Sequence, residues 1–130
     1  MHPPWPEFEA LAARTVEHVI PRLLNALGAV KPSLIHGDLW AGNIGSNTST
    51  GEILLFDAGA YYAHRELDIG VWRCDYLCGF GEEFRRMYCQ GAGVDEPKHE
   101  WEDRNRLYGT YFDVLCSVNE GPVWKAGRQS

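Results

Sequence analysis

Two short apolar runs, Ile44-Gly45 and Glu52 to Phe56, are separated by the polar segment Ser46 to Gly51. Ser, Asn, Thr and Gly dominate that segment, and such a composition between strand-like runs specifies a turn. The expected element is a β-hairpin, which constrains the fold because helical periodicity fills most of the remaining chain. Residues 37–43 enter the hairpin as a loop. Before them Lys31-Pro32 forces extended backbone into Ser33-Leu34-Ile35-His36, a further short strand.

The helical segments follow from apolar spacing. Phe8, Leu11, Val16, Val19, Leu23 and Leu27 recur at helical intervals through residues 7–27, with Pro21 expected to kink or split that helix and Gly28 to stop it. From Glu66 to Cys78 apolar residues cover nearly every face, including Leu67, Ile69, Trp72, Cys74, Tyr76 and Leu77. That pattern predicts a central buried helix. Another helix is expected from Glu82 to Gln90, with Phe84, Met87 and Tyr88 inward and Gly91-Ala92-Gly93 ending it. The last spans about Pro97 to Asn119, with an inward stripe at Trp101, Tyr108, Tyr111, Phe112, Leu115 and Val118. Residues 1–6 read as an extended lead-in, 7–120 as one lobe and 121–130 as a loose tail. The fold class is α+β, predominantly helical, with one small hairpin.

The bulk numbers exclude several functions. A chain of 130 residues is one domain with room for a real core. Its net charge of −6 argues against nucleic acid or an anionic membrane as the main partner. The pairs Arg85-Arg86 and Arg104/Arg106 have acidic neighbours and read as solvated helix faces. No signal peptide or apolar span of membrane length is visible. Cys74 and Cys78 stand a helical turn apart, not at the usual zinc spacing, so these and Cys89 and Cys116 read as thiols of a reducing cytoplasm.

The chemistry is concentrated in His36-Gly37-Asp38-Leu39-Trp40-Ala41-Gly42-Asn43 and in Phe56-Asp57. Phosphoryl transfer requires a carboxylate that orients the attacking hydroxyl and accepts its proton, and oxygen ligands that hold Mg²⁺ on the ATP phosphates. Asp38 is the candidate base, and Asn43 and Asp57 are the candidate Mg²⁺ ligands, brought together by the hairpin. The spacing matches the catalytic loop H-R-D-L-x-x-x-N at every defined position but the arginine. Phe56-Asp57-Ala58-Gly59 departs from D-F-G, which weakens the inference of an activation-loop switch and keeps the ligand. His36 reads as a structural histidine bonding backbone through a ring nitrogen. Trp40 is either core or a flat face for a sugar ring. Asp68 either accepts hydrogen bonds from the catalytic loop's backbone or caps its own helix. Gly42 and Gly45 fit a loop that turns sharply.

The string Leu34-Ile35-His36-Gly37-Asp38-Leu39-Trp40-Ala41-Gly42-Asn43 resembles the signature of the fructosamine kinases, the ketosamine-3-kinase branch of the aminoglycoside phosphotransferase-like superfamily. The block from Phe56 through Tyr61-Tyr62, His64, Glu66 and Asp68 is similar to that family's F-D-x-x-x-Y-Y-x-H-x-E-x-D/E region, and Glu100 to Tyr108 to its closing helix. The resemblance implies a protein-kinase-like C-terminal lobe. It further implies ATP-dependent phosphorylation of the sugar 3-hydroxyl of ribulosamine or fructosamine adducts on protein lysines, a deglycation repair. By position it makes Asp38 the base, Asn43 and Asp57 the magnesium ligands, and Trp40 a sugar contact.

The glycine-rich phosphate cover and the lysine that pairs with the α/β-phosphates are not in this sequence, whose lysines are Lys31, Lys98 and Lys125. The N-terminal ATP-binding lobe is therefore expected to be absent, and the chain alone to turn over weakly or not at all. The expected partners are a glycated protein or small ketosamine, with self-association through the surface that lobe would cover. The alternative is a non-catalytic binding or regulatory module. A metal-dependent phosphohydrolase is the weaker third, since it requires more ligands than this cluster offers.

Overall fold

The computed structural model describes residues 5–74 and 79–119. Tyr76, Leu77, Cys78, the first four residues and the C-terminal tail lie outside them. Helix α1 (Pro6–Arg14) starts with proline in its first turn, with Glu7 and Glu9 at its positive end and Arg14 at its negative end. A π-helical turn, Thr15–Val19, joins it to α2 (Ile20–Asn25). Pro21 has no N–H to donate within the helix, and the wider turn beside it lets the Ile20 N–H reach the Thr15 carbonyl. Leu23 is the one residue of these elements that is buried. The expected inward positions Phe8, Leu11, Val16 and Val19 are exposed, and it is α2, with buried Leu23, that packs against the helix Trp101–Asn119.

Among the described residues four short strands make two antiparallel pairs. Strands β2 (Ile44–Ser46) and β3 (Ile53–Leu55) form the hairpin, with Ile44 opposite Leu55 and Ser46 opposite Ile53. Asn47 organises its turn: its side-chain oxygen accepts the Ser49 N–H at 2.9 Å, and its N–H donates to the Glu52 carbonyl at 2.8 Å. Gly51 supplies the left-handed residue, φ +74°. Strand β1 (Ser33–Ile35) pairs with β4 (Tyr61–Ala63), a strand the alternation rule missed.

The largest correction concerns residues 66–78. The described part is not an α-helix but two 3₁₀ turns, Arg65–Leu67 and Gly70–Arg73. Its burial is as the composition implies: Ile69, Val71, Trp72 and Cys74 form the core with Phe112 of α4 (Trp101–Asn119). The cause of the irregular path is contact with α4. A Cβ on Gly70 would stand 2.7 Å from Tyr108 Cβ and 2.8 Å from its main-chain carbon.

Helix α3 (Glu82–Ala92) ends at Gly93, φ +72°. Phe84 and Met87 on it are exposed, and of the expected inward trio only Tyr88 packs on the core. Helix α4 is also turned from its expected setting. Its inward face carries Arg104, Asn105, Tyr108, Gly109 and Phe112, while Tyr111, Leu115 and Val118 face out. Arg104, expected on a solvated face, is fully buried because Glu66 awaits it there, also fully buried.

Candidate active site

The first part of the loop between β1 and β2, from His36 to Trp40, is held by side chains on each of its peptide groups. Gly37 has φ +80°, and a Cβ there would lie 2.8 Å from the Tyr61 ring and 2.9 Å from the Gly59 carbonyl. Glycine is thus required by both conformation and space. The two carboxylate oxygens of Asp68 accept the N–H groups of His36 and Gly37, each at 2.9 Å. The Trp72 indole N–H donates to the Leu39 carbonyl at 2.7 Å.

Asp38 is exposed between these anchors, and Asn43 is buried beneath the loop. The Asn43 Nδ2 donates to Asp38 Oδ2 and to the Asp38 carbonyl, both at 2.9 Å. Both partners are acceptors, so the NH₂ end must face Asp38 and the amide oxygen must point away from it. His36 donates from Nε2 to the Phe56 carbonyl at 3.1 Å and accepts the Asp38 N–H on Nδ1 at 3.3 Å, which fixes the Nε2–H tautomer. These bonds tie the loop to the exit of the hairpin.

Asn43 and Asp57 flank the open end of that hairpin. The Phe56 N–H donates to the Asn43 carbonyl at 3.1 Å, one bond beyond the Ile44–Leu55 pair. Asp57 then leaves the strand with φ +58°, a left-handed conformation that aspartate tolerates better than most residues. Trp40 is partly exposed, and its indole covers Gly42 so closely that a Cβ there would overlap the ring. Gly42 is needed for that contact and not for a left-handed turn. Gly45 similarly faces the Phe56 ring at 3.2 Å from where its Cβ would be.

A second polar cluster escaped the sequence reading. Glu66 accepts from Arg104 Nε at 2.8 Å, Arg104 Nη2 at 3.0 Å and the Asp95 N–H at 2.8 Å. His64 donates from Nε2 to Asp95 at 2.8 Å, and its Nδ1 is hydrogen-bonded to the Tyr108 hydroxyl at 2.7 Å. Arg65 donates to both Asp95 oxygens. His64, Glu66 and Asp95 are close enough to surround a cation. Two guanidinium groups already answer those carboxylates, so this is an ion-pair network and not a metal centre. Hydrogen bonds from Arg65, assisted by His64, hold the Asp95 carboxyl below its ordinary value. Burial, reinforced by the Glu66 charge, pushes the Tyr108 hydroxyl up to about 12. Burial opposes the Arg104 charge, yet the Glu66 carboxylate more than offsets it and the guanidinium pKa is raised. The only available signal was the acidic and basic residues spaced through 64–66, 95 and 104, which pairwise sequence spacing does not connect. A separate cleft lined by Leu27, Lys31, Ser33, Arg65 and Asp95 contains none of Asp38, Asn43 and Asp57.

The fructosamine kinase family pattern matches residues 8–120. The chain is 38% identical over 98 residues to the chloroplastic protein-ribulosamine 3-kinase of Oryza sativa subsp. japonica, covering 75% of this chain and 26% of that protein. It is 34% identical over 96 residues to the chloroplastic protein-ribulosamine 3-kinase of Arabidopsis thaliana, covering 74% and 27%. A probable ketoamine kinase of Vibrio cholerae is 38% identical over 105 residues, covering 81% and 33%. The chain thus spans about a quarter to a third of the length of these relatives. The match takes in the anchored loop, the hairpin and the buried ion pair alike, and the chain belongs to the fructosamine kinase family.

Proposed function

We propose that this chain carries the catalytic-base and metal-binding half of an ATP-dependent ketosamine 3-kinase acting on ribulosamine or fructosamine adducts of protein lysines. The reading rests on one observation above others: Asn43 grips Asp38 through its NH₂ end, which leaves its oxygen for a cation at the hairpin exit. Amide and carboxylate oxygens are hard donors suited to Mg²⁺, so Asn43 and Asp57 fit as its ligands. Bound there on the ATP phosphates, Mg²⁺ would neutralise charge on the transferring group.

Asp38 is the base. Its exposed carboxylate accepts the proton of the sugar hydroxyl and aims that oxygen at the γ-phosphate. Trp40, lying over the loop beside it, offers a ring face to the sugar. Asp68 and His36 keep the loop in place. The 130 residues contain no glycine-rich phosphate cover and no lysine in the matching context, so the chain alone is expected to transfer phosphate very slowly or not at all. We place it in the cytoplasm, although two plant relatives are named chloroplastic. None of the described helices is long and apolar enough to cross a membrane.

Calorimetric titration of ATP–Mg²⁺ into the wild type and Asp57→Ala tests the reading. The expected result is measurable heat that the substitution removes; equal, negligible heats for both would sink it. One observation favours a second reading, a non-catalytic docking lobe. The β3 residues Ile53, Leu54 and Leu55, with Phe56, are all about half exposed or more, directly before Asp57. Association that grows with concentration in sedimentation, without any ATP–Mg²⁺ response, would favour that reading.

A further inference from the structure

Each peptide group from His36 to Trp40 is bonded to a side chain, and two of those side chains come from one short stretch of chain. Asp68 takes the N–H groups before Asp38, and Trp72, four residues on, takes the Leu39 carbonyl after it. An acceptor side chain and a donor side chain thus bracket the loop with opposite polarity. We infer that Trp72 is a positioning residue for the Asp38 carboxylate, acting through the Leu39 carbonyl. This deepens the kinase reading above and rests on it for its catalytic meaning.

The indole is suited to the task. It is buried, with its ring centroid 5.1 Å from Phe80 and 6.0 Å from Tyr88, so the N–H direction is set by core packing. Its own carbonyl accepts Arg85 Nη1 at 2.8 Å, which ties the same residue to α3. Trp carries a donor and no acceptor, so among the buried core rings only an indole can meet a carbonyl and nothing else. A base on an exposed loop must be held to within about half an ångström, and an anchor from the core supplies what solvent cannot. The competing explanation is that the bond merely satisfies a buried N–H. In that case its loss would loosen the domain as a whole and not the loop in particular.

Amide hydrogen exchange in the full chain separates the two. In Trp72→Phe, the Trp40 and Asn43 amides, which bond to the Asp38 and Trp40 carbonyls, should exchange about tenfold faster. Those of α4 from Arg104 to Phe112 should not change. Replacing Trp72 by its benzothienyl isostere, with sulfur for the N–H, keeps the ring volume and serves if the phenylalanine variant folds poorly. Unchanged exchange at Trp40 and Asn43 would overturn the inference, as would a rise that α4 shares in equal proportion. A Mg²⁺ titration of the same samples reads the kinase proposal separately. No Mg²⁺ response together with localised loop exchange would count against phosphotransfer and for the anchor.

Discussion

Asn43 is bound to Asp38 twice, through the side-chain carboxylate and through the main-chain carbonyl, at 2.9 Å each. The residue proposed as a ligand and the one proposed as the base are thereby one mechanical unit, and replacing either disturbs the other. Asn43→Ala should destabilise the chain by about 1–3 kcal/mol, because a buried amide bonded to a charged group is lost. In a cycle with Asp38→Ala the two changes should couple by about 0.5–3 kcal/mol. Urea unfolding of both single variants and the double variant measures this, and strict additivity would contradict the direct bond.

Arg104 should be the most sensitive position in α4. Its guanidinium is fully buried and bonds Glu66, the Pro97 carbonyl and the Asp95 carbonyl. Arg104→Met leaves the Glu66 charge buried without its partner, a change that costs about 3–5 kcal/mol. Arg106→Met, two residues on and on the opposite, exposed face of the helix, should shift the urea midpoint little. Similar midpoints for the two variants would count against the buried pair.

The contrast between Arg104 and Arg106 shows what a sequence does and does not disclose. Local chemistry was legible: Pro32 into a strand, the polar turn expected over Ser46 to Gly51, whose first residue ends β2, and the helix end expected over Gly91-Ala92-Gly93, of which Gly93 is the stop. The hairpin follows from such signals without tertiary information. Long-range pairing was not legible. Arg104 looks like a surface charge until Glu66, 38 positions away, is known to face it. The stretch after Glu66 carries a helical composition, yet Gly70 must lie against the Tyr108 backbone, and that contact selects 3₁₀ turns. Strand β4 has no alternating signature, since Tyr61 and Tyr62 are both exposed and its pairing with β1 comes from chain path. At the candidate site, motif spacing drew attention to Asp38, Asn43 and Asp57, whereas Trp72 looked like any other core aromatic.

Asp95 gives a pH dependence with a defined sign. Its carboxyl titrates below the ordinary 3.8 in the folded chain, so between the folded and unfolded values the unfolded chain binds more protons. The stabilisation is fully present above about pH 4 and is lost as pH falls through the folded value. Urea midpoints of the wild type should fall through this acid range, and those of Asp95→Asn should fall less steeply. Equal slopes would show that the Arg65 and His64 contacts do not act on folding.

Tyr108 sets the alkaline limit in the opposite sense. With its hydroxyl raised from 10.0 to about 12, the folded chain keeps a proton that the unfolded chain releases. Its contribution is complete below pH 10 and disappears as pH rises through about 12. Tyr108→Phe should flatten that part of the curve, with the cost of losing the bond to His64 visible at neutral pH as well.

Two glycines should respond differently to the same added methyl group, and the comparison tests the packing directly. At Gly70 the new Cβ would meet Tyr108 backbone and Cβ within 3.0 Å, and α4 cannot retreat without opening the core. Gly70→Ala should therefore destabilise by about 1–3 kcal/mol or more, as overpacking does. At Gly42 the obstacle is the Trp40 indole, a partly exposed side chain that can swing aside. Gly42→Ala should leave the unfolding free energy from urea titration within about 0.5 kcal/mol of wild type. Its effect should appear instead in ketosamine binding by the chain, because the ring proposed to face the sugar is displaced. A Gly42→Ala variant with both the unfolding free energy and sugar binding unchanged would remove Trp40 from the site.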